Sequence, residues 1–163
     1  TRRLDEAKAY LRERYADDPE ARFGLVASSR DRDLERFGVT NGFSATRNFR
    51  YGPWYGDSES QPGNRSCRHL TDCVTEFGAQ GLELDAVLLA WGTDLIWQET
   101  SWSIEKAARY KSRARVKDPH QLRLNAYRVL LTRGRDAAVV FIPELDEMDA
   151  TYAYLMASGF RLL

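Results

Sequence analysis

Three short apolar runs constrain the fold of this chain more than any other feature of its sequence. They cover residues 23–27, 86–91 and 137–142, and none of them alternates apolar with polar residues. A strand that is apolar on both faces must be covered on both faces, which is typical of parallel sheets. Segments with helical spacing separate the runs. We therefore predict an α/β fold with a mostly parallel sheet between two layers of helices.

Apolar residues three or four positions apart predict helices at residues 4–15, 121–132 and 148–158. In the second of these helices, Leu124, Tyr127 and Leu131 share one predicted face. We expect Gly134 to end this helix, since glycine is common just after a helix. A further strand is predicted at 70–75, followed by a helical turn at 76–82.

At 163 residues the chain is long enough for one well-packed domain and short for two. We predict a single domain over 1–163, with irregular insertions at about 43–66 and 97–118. The first insertion is rich in glycine and aromatic residues, and we expect the aromatic rings to anchor it to the core. The chain lacks an initiator methionine, so we expect a fragment or a processed product.

Composition narrows the classes of function. Lys+Arg and Asp+Glu each total 24, so the net charge is zero and nucleic-acid binding would need a local basic surface or a basic partner. No apolar run approaches the roughly 20 residues of a membrane-spanning helix, and we expect a cytoplasmic protein. Cys67, His69 and Cys73 lack a nearby fourth ligand for zinc, so we expect buried free cysteines and no metal site.

Candidate site residues follow the predicted strands, because ligands of open parallel sheets bind beyond the carboxyl ends of the strands. We place three polar segments at this edge: residues 28–30, 75–85 and 124–135. Gly78 and Gly81 allow a ligand to approach the backbone closely. Arg133 lies at a predicted helix end, where its side chain can reach beyond the domain.

Two motifs of a complete ATPase are absent from the sequence. No Gly-x4-Gly-Lys-Ser/Thr phosphate loop is present, and no apolar strand ends in an Asp-Glu pair for magnesium. We therefore expect no ATP hydrolysis by this chain alone.

Taken in order, these segments resemble motifs IV, V and VI of superfamily-1 helicases. Residues 74–85 are similar to motif V, usually Thr-x-His-x-x-Gln/Lys-Gly-x-Glu, and residues 130–134 resemble motif VI, usually ending Thr-Arg-Ala. The strings at 80–85 and 125–135 resemble more closely the bacterial Schlafen-like DNA/RNA helicase domain family. The segments at 91–95 and 52–55 fit that subgroup as well. The resemblance spans about residues 20–160 and implies the second RecA-like lobe, a three-layer αβα sandwich of P-loop NTPase type that lacks the phosphate loop.

The resemblance also implies a role for individual residues at a nucleotide. Arg133 would be an arginine finger that reaches the γ-phosphate of ATP. Gln80 and Gly81 would face the nucleotide, Glu83 would contact the ribose, and Arg128 would be a second cation. ATP and Mg²⁺ would be shared with an N-terminal RecA-like lobe of the same parent chain.

Single-stranded DNA or RNA is the second implied partner. The resemblance places Thr75 near the nucleic-acid path, and Ser28 and Ser29 are further candidate contacts at the end of the first strand. Two positions depart from the family pattern. Phe77 stands where many superfamily-1 members have histidine, and Gly134 replaces the usual alanine.

Three alternatives remain open from the residues themselves. The first is a nucleic-acid-binding or regulatory module without motor activity, based on a basic cluster with two aromatic neighbours: Lys106, Arg109, Lys111, Arg113, Arg115 and Lys117, with Trp102 and Tyr110. The second is a metal-dependent nuclease that uses Glu83, Asp85 and Lys106. The third is a purely structural α/β domain.

Overall fold

The computed structural model describes residues 1–108 and 116–163. The longer helices are α1 (Leu4–Arg14), α4 (Pro119–Leu131) and α5 (Asp149–Ala157), and the short ones are α2 (Phe43–Thr46) and α3 (Tyr51–Gly56). The strands are β1 (Phe23–Ala27), β2 (Cys73–Thr75), β3 (Leu84–Ala90), β4 (Ile96–Gln98), β5 (Ser101–Ser103) and β6 (Gly134–Phe141). Three 3-10 turns lie at Leu34–Phe37, Cys67–His69 and Asp146–Met148. No helix in these described ranges is long and apolar enough to cross a membrane.

The central sheet has four parallel strands in the order β2-β1-β3-β6. Its register places Ala27 beside both Thr75 and Ala90, so β1, β2 and β3 end at the same level. The parallel sheet predicted from the apolar runs is therefore confirmed. A separate antiparallel hairpin, β4-β5, lies in the second insertion.

Alternate side chains of the strands fill two apolar layers. Val26, Val87 and Leu89 belong to the layer that includes residues of α3, α4 and α5. Leu25 and Leu88 belong to the other, which includes the buried face of α1. Helices on both sides of a parallel sheet are consistent with a RecA-like three-layer sandwich.

The first insertion is anchored to the core by an aromatic side chain, as expected. Trp54 of α3 is buried in the same layer as Val26. It lies so close to β1 that a Cβ atom at Gly24 would be 2.5 Å from its ring. Since real Cβ atoms do not approach other atoms so closely, β1 needs glycine at this position.

The helical turn predicted at 76–82 is present in part, since the N–H of Ala79 donates to Thr75 O at 2.9 Å, and the segment is otherwise a series of turns. One local prediction was wrong. Gly134 is the first residue of β6 and not a helix-ending glycine, since α4 already ends at Leu131 with Thr132 as its cap. A Cβ atom at Gly134 would be 2.1 Å from the carbonyl oxygen of Ala137, where the pairing of β3 with β6 shifts register.

Candidate functional site

A buried polar network lies at the carboxyl ends of β1, β2 and β3. Asp94 is at its centre, with no exposed surface, in the loop after β3. Its carboxylate accepts hydrogen bonds from the hydroxyl groups of Ser28 and Tyr127, the latter at 2.5 Å. The Tyr127 hydroxyl in turn accepts a bond from the backbone N–H of Gly92 at 3.0 Å. The network therefore connects the end of β1, the end of β3 and the middle of α4.

Arg123 of α4 links this group to β2. Its side chain is 2% exposed, with Nη1 3.2 Å from Asp94 Oδ2 and Nη2 2.6 Å from Glu76 Oε1. Glu76 also accepts two hydrogen bonds from Ser29, from the backbone N–H at 2.8 Å and from the hydroxyl at 2.9 Å. One guanidinium thus bridges the carboxylates that follow β2 and β3. A buried charge needs such partners, since an unpaired one is strongly unfavourable.

Charge and burial oppose each other at Asp94. Burial raises its pKa to about 6, although the Arg123 guanidinium and the hydrogen bonds from Ser28 and Tyr127 lower it. At Arg123 burial lowers the pKa, but Glu76 and Asp94 outweigh it and the pKa is raised. Burial, together with the neighbouring Asp94, also raises the pKa of Tyr127 well above its ordinary value. Of these three groups, Asp94 therefore has the pKa closest to neutrality.

The structure places the three predicted nucleic-acid-binding residues at this edge, where their side chains are buried or hydrogen-bonded within the protein. Ser28 is fully buried and bound to Asp94, and Thr75 is also buried. Ser29 is partly exposed and held by Glu76. Their contact with nucleic acid remains a prediction, and a strand there would meet the surface of a rigid network.

Arg133 lies at the opposite edge of the sheet. Within the segment 124–135, Tyr127 reaches the carboxyl edge as predicted, whereas the placement of Arg133 at that edge was wrong. Its carbonyl oxygen accepts a hydrogen bond from the N–H of Leu84, the first residue of β3, and β6 begins one residue later. The physical reason is topological: a helix that connects two parallel strands returns the chain from the carboxyl edge to the amino edge.

The guanidinium of Arg133 contacts only carbonyl oxygens. Its Nε donates to Val129 O at 3.2 Å and its Nη1 lies 3.5 Å from Leu82 O. Within residues 1–108 and 116–163 it makes no ion pair with a carboxylate. Arg135, two residues on, is by contrast paired with Asp85 at 2.5 Å. A half-buried cation without a carboxylate partner is suited to receive an anionic ligand.

The other predicted nucleotide residues divide into two groups. Gly81 and Glu83 are exposed on either side of Leu82, so they lie beside Arg133. Gln80, also exposed, lines a groove between the 76–82 segment and α4. Arg128 is exposed on the α4 side that faces Trp91 and Trp102, away from that groove. The structure therefore groups Gly81 and Glu83 with Arg133, and it sets Arg128 apart from Gln80.

The Gly81–Glu83 turn is held in place by the first insertion. The Tyr55 hydroxyl donates a hydrogen bond to Glu83 O at 2.9 Å, and Arg22 Nε donates to Tyr55 O at 3.1 Å. Gly81 has a positive φ of 80°, which other residues rarely adopt. The amino edge thus offers a fixed turn, a carboxylate and an arginine that pairs with no carboxylate in the described part of the chain, and these could contact the ribose and phosphates of a nucleotide.

A family model matches residues 1–144, and its description is Schlafen group 3, DNA/RNA helicase domain. The chain belongs to this family. Comparisons with curated proteins and with solved structures give no significant match. Membership of the Schlafen group 3 DNA/RNA helicase domain family supports a helicase-related role and nucleic-acid binding.

Four residues of the polar network were not among the site residues predicted for this Schlafen-type helicase domain: Glu76, Asp94, Arg123 and Tyr127. One signal for Arg123 was present in the sequence. Arg123, Tyr127 and Leu130 follow the i, i+4, i+7 spacing of one helical face, and all three are buried. The spacing would have placed Arg123 inside, where an arginine requires carboxylate partners.

The structure does not bring together the three residues of the metal-dependent nuclease alternative, Glu83, Asp85 and Lys106. Lys106 forms an ion pair with Glu147, which follows β6, whereas Glu83 and Asp85 lie at the start of β3. These groups are therefore at opposite ends of the sheet. In the described part of the chain, no group of three His, Cys, Asp or Glu residues could hold a metal ion.

The two cysteines are buried and free. Burial raises the pKa of the Cys67 thiol to about 11, and burial also raises the pKa of Cys73. Both are therefore thiols near neutral pH, with little tendency to bind metal.

Most of the predicted basic cluster lies outside the described residues: Arg109, Tyr110, Lys111, Arg113 and Arg115. Its remaining members are Lys106, paired with Glu147, Trp102 in the β4-β5 hairpin, and Lys117, which is exposed. Binding of single-stranded nucleic acid by this basic cluster stays a prediction.

Proposed function

We propose that this chain is the C-terminal motor lobe of an ATP-dependent DNA or RNA helicase or translocase. It supplies motifs IV, V and VI to an ATP site held mainly by an N-terminal RecA-like lobe of the same parent chain. The observation that carries the proposal is Arg133, a cation that pairs with no carboxylate in residues 1–108 and 116–163 and lies beside the Gly81–Glu83 turn. An arginine delivered from a second lobe stabilises charge on a phosphoryl group during transfer.

In the proposed site each residue has a separate task. Arg133 contacts the γ-phosphate of ATP, and Glu83 contacts the ribose. Gly81 faces the nucleotide beside them. Gln80 and Arg128, which the resemblance implies as further contacts, lie in two other places along α4 and are not part of this proposed site. The phosphate loop and the carboxylates that hold Mg²⁺ belong to the N-terminal lobe, since this sequence has no phosphate loop.

Coupling to a nucleic-acid strand is proposed to run through the segment after β2. Thr75 lies at the carboxyl edge of the sheet, whereas Leu84 begins β3 at the amino edge. The six residue steps from Leu84 to Ala90 in β3 correspond to roughly 20 Å. Residues 76–83 span this distance. A movement of a nucleic-acid strand held near Thr75, Ser28 and Ser29 would therefore be transmitted along this segment to the Gly81–Glu83 turn beside the nucleotide.

The proposal is tested by ATP hydrolysis of the parent protein with and without single-stranded DNA or RNA. We expect stimulation by the strand, and Arg133→Ala should lower the rate by about 10³- to 10⁵-fold, as for arginine fingers of GTPases. Arg135→Ala is the matched control, because Arg135 is a neighbouring arginine that is already paired with Asp85. Near-normal hydrolysis by Arg133→Ala would contradict the assignment and favour a binding or regulatory module.

A further inference from the structure

A shallow apolar groove lies between the 76–82 segment and α4. Its volume is about 170 Å³, and it is lined by Glu76, Phe77, Gln80, Leu122, Arg123, Asn125, Ala126 and Val129. Pockets for drug-sized ligands are usually larger, roughly 300–1,000 Å³. The groove is therefore suited to one planar ring and not to an extended molecule.

The wall of this groove exposes an unusual amount of apolar surface. Phe77 is 62% exposed and Leu122 is 43% exposed, although both lie next to well-buried segments of the sheet and of α4. Phe77 directly follows the buried pair Thr75 and Glu76 at the carboxyl edge. An aromatic ring held on a rigid segment and left open to solvent offers a stacking surface.

The rim of the groove carries polar groups that match the edge of a nucleobase. Gln80 and Asn125 are exposed amides, and amides provide both hydrogen-bond donors and acceptors. Arg123, whose Nε has no hydrogen-bond partner among the described residues, also lines the groove. A small, largely apolar groove with amides at its rim can hydrogen-bond the edge of a base, which an aliphatic side chain lacks.

We infer that this groove binds an unpaired base of a single-stranded nucleic acid, stacked on Phe77. The inference rests on the proposed function for the presence of a strand, and membership of a DNA/RNA helicase domain family supports nucleic acid as the partner. The family resemblance did not assign a nucleic-acid contact to Phe77, because this residue stands where motif V usually has histidine. Stacking accepts any base, so the groove contributes affinity without strong sequence preference.

The test is the binding of a fluorescent single-stranded oligonucleotide by the 163-residue chain at low salt. Loss of one base–aromatic stack, about 1–3 kcal/mol, corresponds to roughly 5- to 150-fold weaker binding for Phe77→Ala. Phe77→Tyr should keep wild-type affinity, because it keeps the ring. Leu162→Ala is the control, since Leu162 is 66% exposed in the C-terminal tail and does not line the groove.

Photo-crosslinking gives a readout that a general loss of affinity would not produce. An oligonucleotide with a 5-iodouracil base should crosslink to the peptide that contains Phe77, and Phe77→Ala should abolish this crosslink. Unchanged binding by Phe77→Ala, crosslinks confined to other peptides, or no strand binding by the wild-type chain would each overturn the inference.

Failure of the inference differs from failure of the proposed function. Suppose that ATP hydrolysis is stimulated by the strand and depends on Arg133, while Phe77→Ala binds the strand normally. This result would refute only the assignment of a base to the groove. Strand binding that depends on Phe77, combined with ATP hydrolysis that ignores Arg133, would refute only the motor assignment.

Discussion

At the scale of single residues, Arg123 is the side chain on which the carboxyl edge depends. It is 2% exposed and bridges Glu76 and Asp94, which follow two different strands. Its removal would leave two buried carboxylates without their cation. Such uncompensated charges cost far more than the loss of an exposed ion pair.

We therefore predict that Arg123→Met lowers the free energy of unfolding by about 3–5 kcal/mol. Urea denaturation followed by circular dichroism measures this change. Arg128→Met is the matched control on the same helix, because Arg128 is exposed and a surface change is usually worth less than about 0.5 kcal/mol. Equal stability of the two variants would show that the Arg123 bridge is not needed for folding.

Asp94 makes the free energy of unfolding depend on pH. Its folded-state pKa of about 6 lies above the ordinary value of 3.8. Between about pH 4 and 6 the folded state therefore holds a proton that the unfolded chain has released, and the free energy of unfolding falls as the pH rises. This contribution is fully present below pH 4 and is lost above pH 6.

The prediction is that Asp94→Asn removes this part of the pH dependence. The difference in unfolding free energy between wild type and variant should change from pH 4 to 6 and then level off near pH 7. Asp149→Asn is a suitable control, because the Asp149 side chain is 66% exposed. A difference between wild type and Asp94→Asn that is constant from pH 4 to 7 would argue against a raised pKa.

At the scale of elements, the junction of α4 and β6 determines where Arg133 points. Gly134 begins β6, and a Cβ atom there would lie 2.1 Å from Ala137 O and 3.0 Å from Val87 N. Both are backbone atoms, which cannot rotate away as a flexible side chain would. The glycine thus permits the register shift that brings β6 against the start of β3.

Gly134→Ala should consequently destabilise the chain by about 1–3 kcal/mol, the usual cost of inserting an extra methyl group into packed structure. Thermal unfolding of the variant measures this. Gly52→Ala serves as its counterpart, since a Cβ atom at Gly52 would meet nothing within 4 Å. If Gly134→Ala melts with the wild type, the close approach at this junction is not a constraint.

At the scale of the whole molecule, the sheet separates two sets of candidate contacts. Arg133, Gly81 and Glu83 lie at its amino edge, whereas Ser28, Ser29 and Thr75 lie at its carboxyl edge. We expect the 163-residue chain alone to release no phosphate from ATP, because it lacks a phosphate loop. A phosphate-release assay beside the intact parent checks this, and turnover by the chain alone would place the active site elsewhere.

Sequence patterns were sufficient for the parallel sheet and for the extent of the main helices. The strands β1, β3 and β6 overlap the three predicted apolar runs, and α1, α4 and α5 begin and end within two residues of their predicted bounds. These features are local, because a run of apolar residues or a helical spacing is encoded within one segment of chain. The roles that the family motifs imply for Arg133 and for residues 80–83 stay predictions.

The buried network and the edge occupied by Arg133 were decided by the tertiary structure. Asp94 and Arg123 are far apart in sequence, as are Ser28 and Asp94, and they meet only after four elements pack together. The sequence alone determined the core strands β1, β3 and β6 and the longer helices α1, α4 and α5, but not the short elements of the two insertions. Tertiary packing decided which polar side chains share a buried space, because charge partners and strand register depend on contacts between segments that no local pattern encodes.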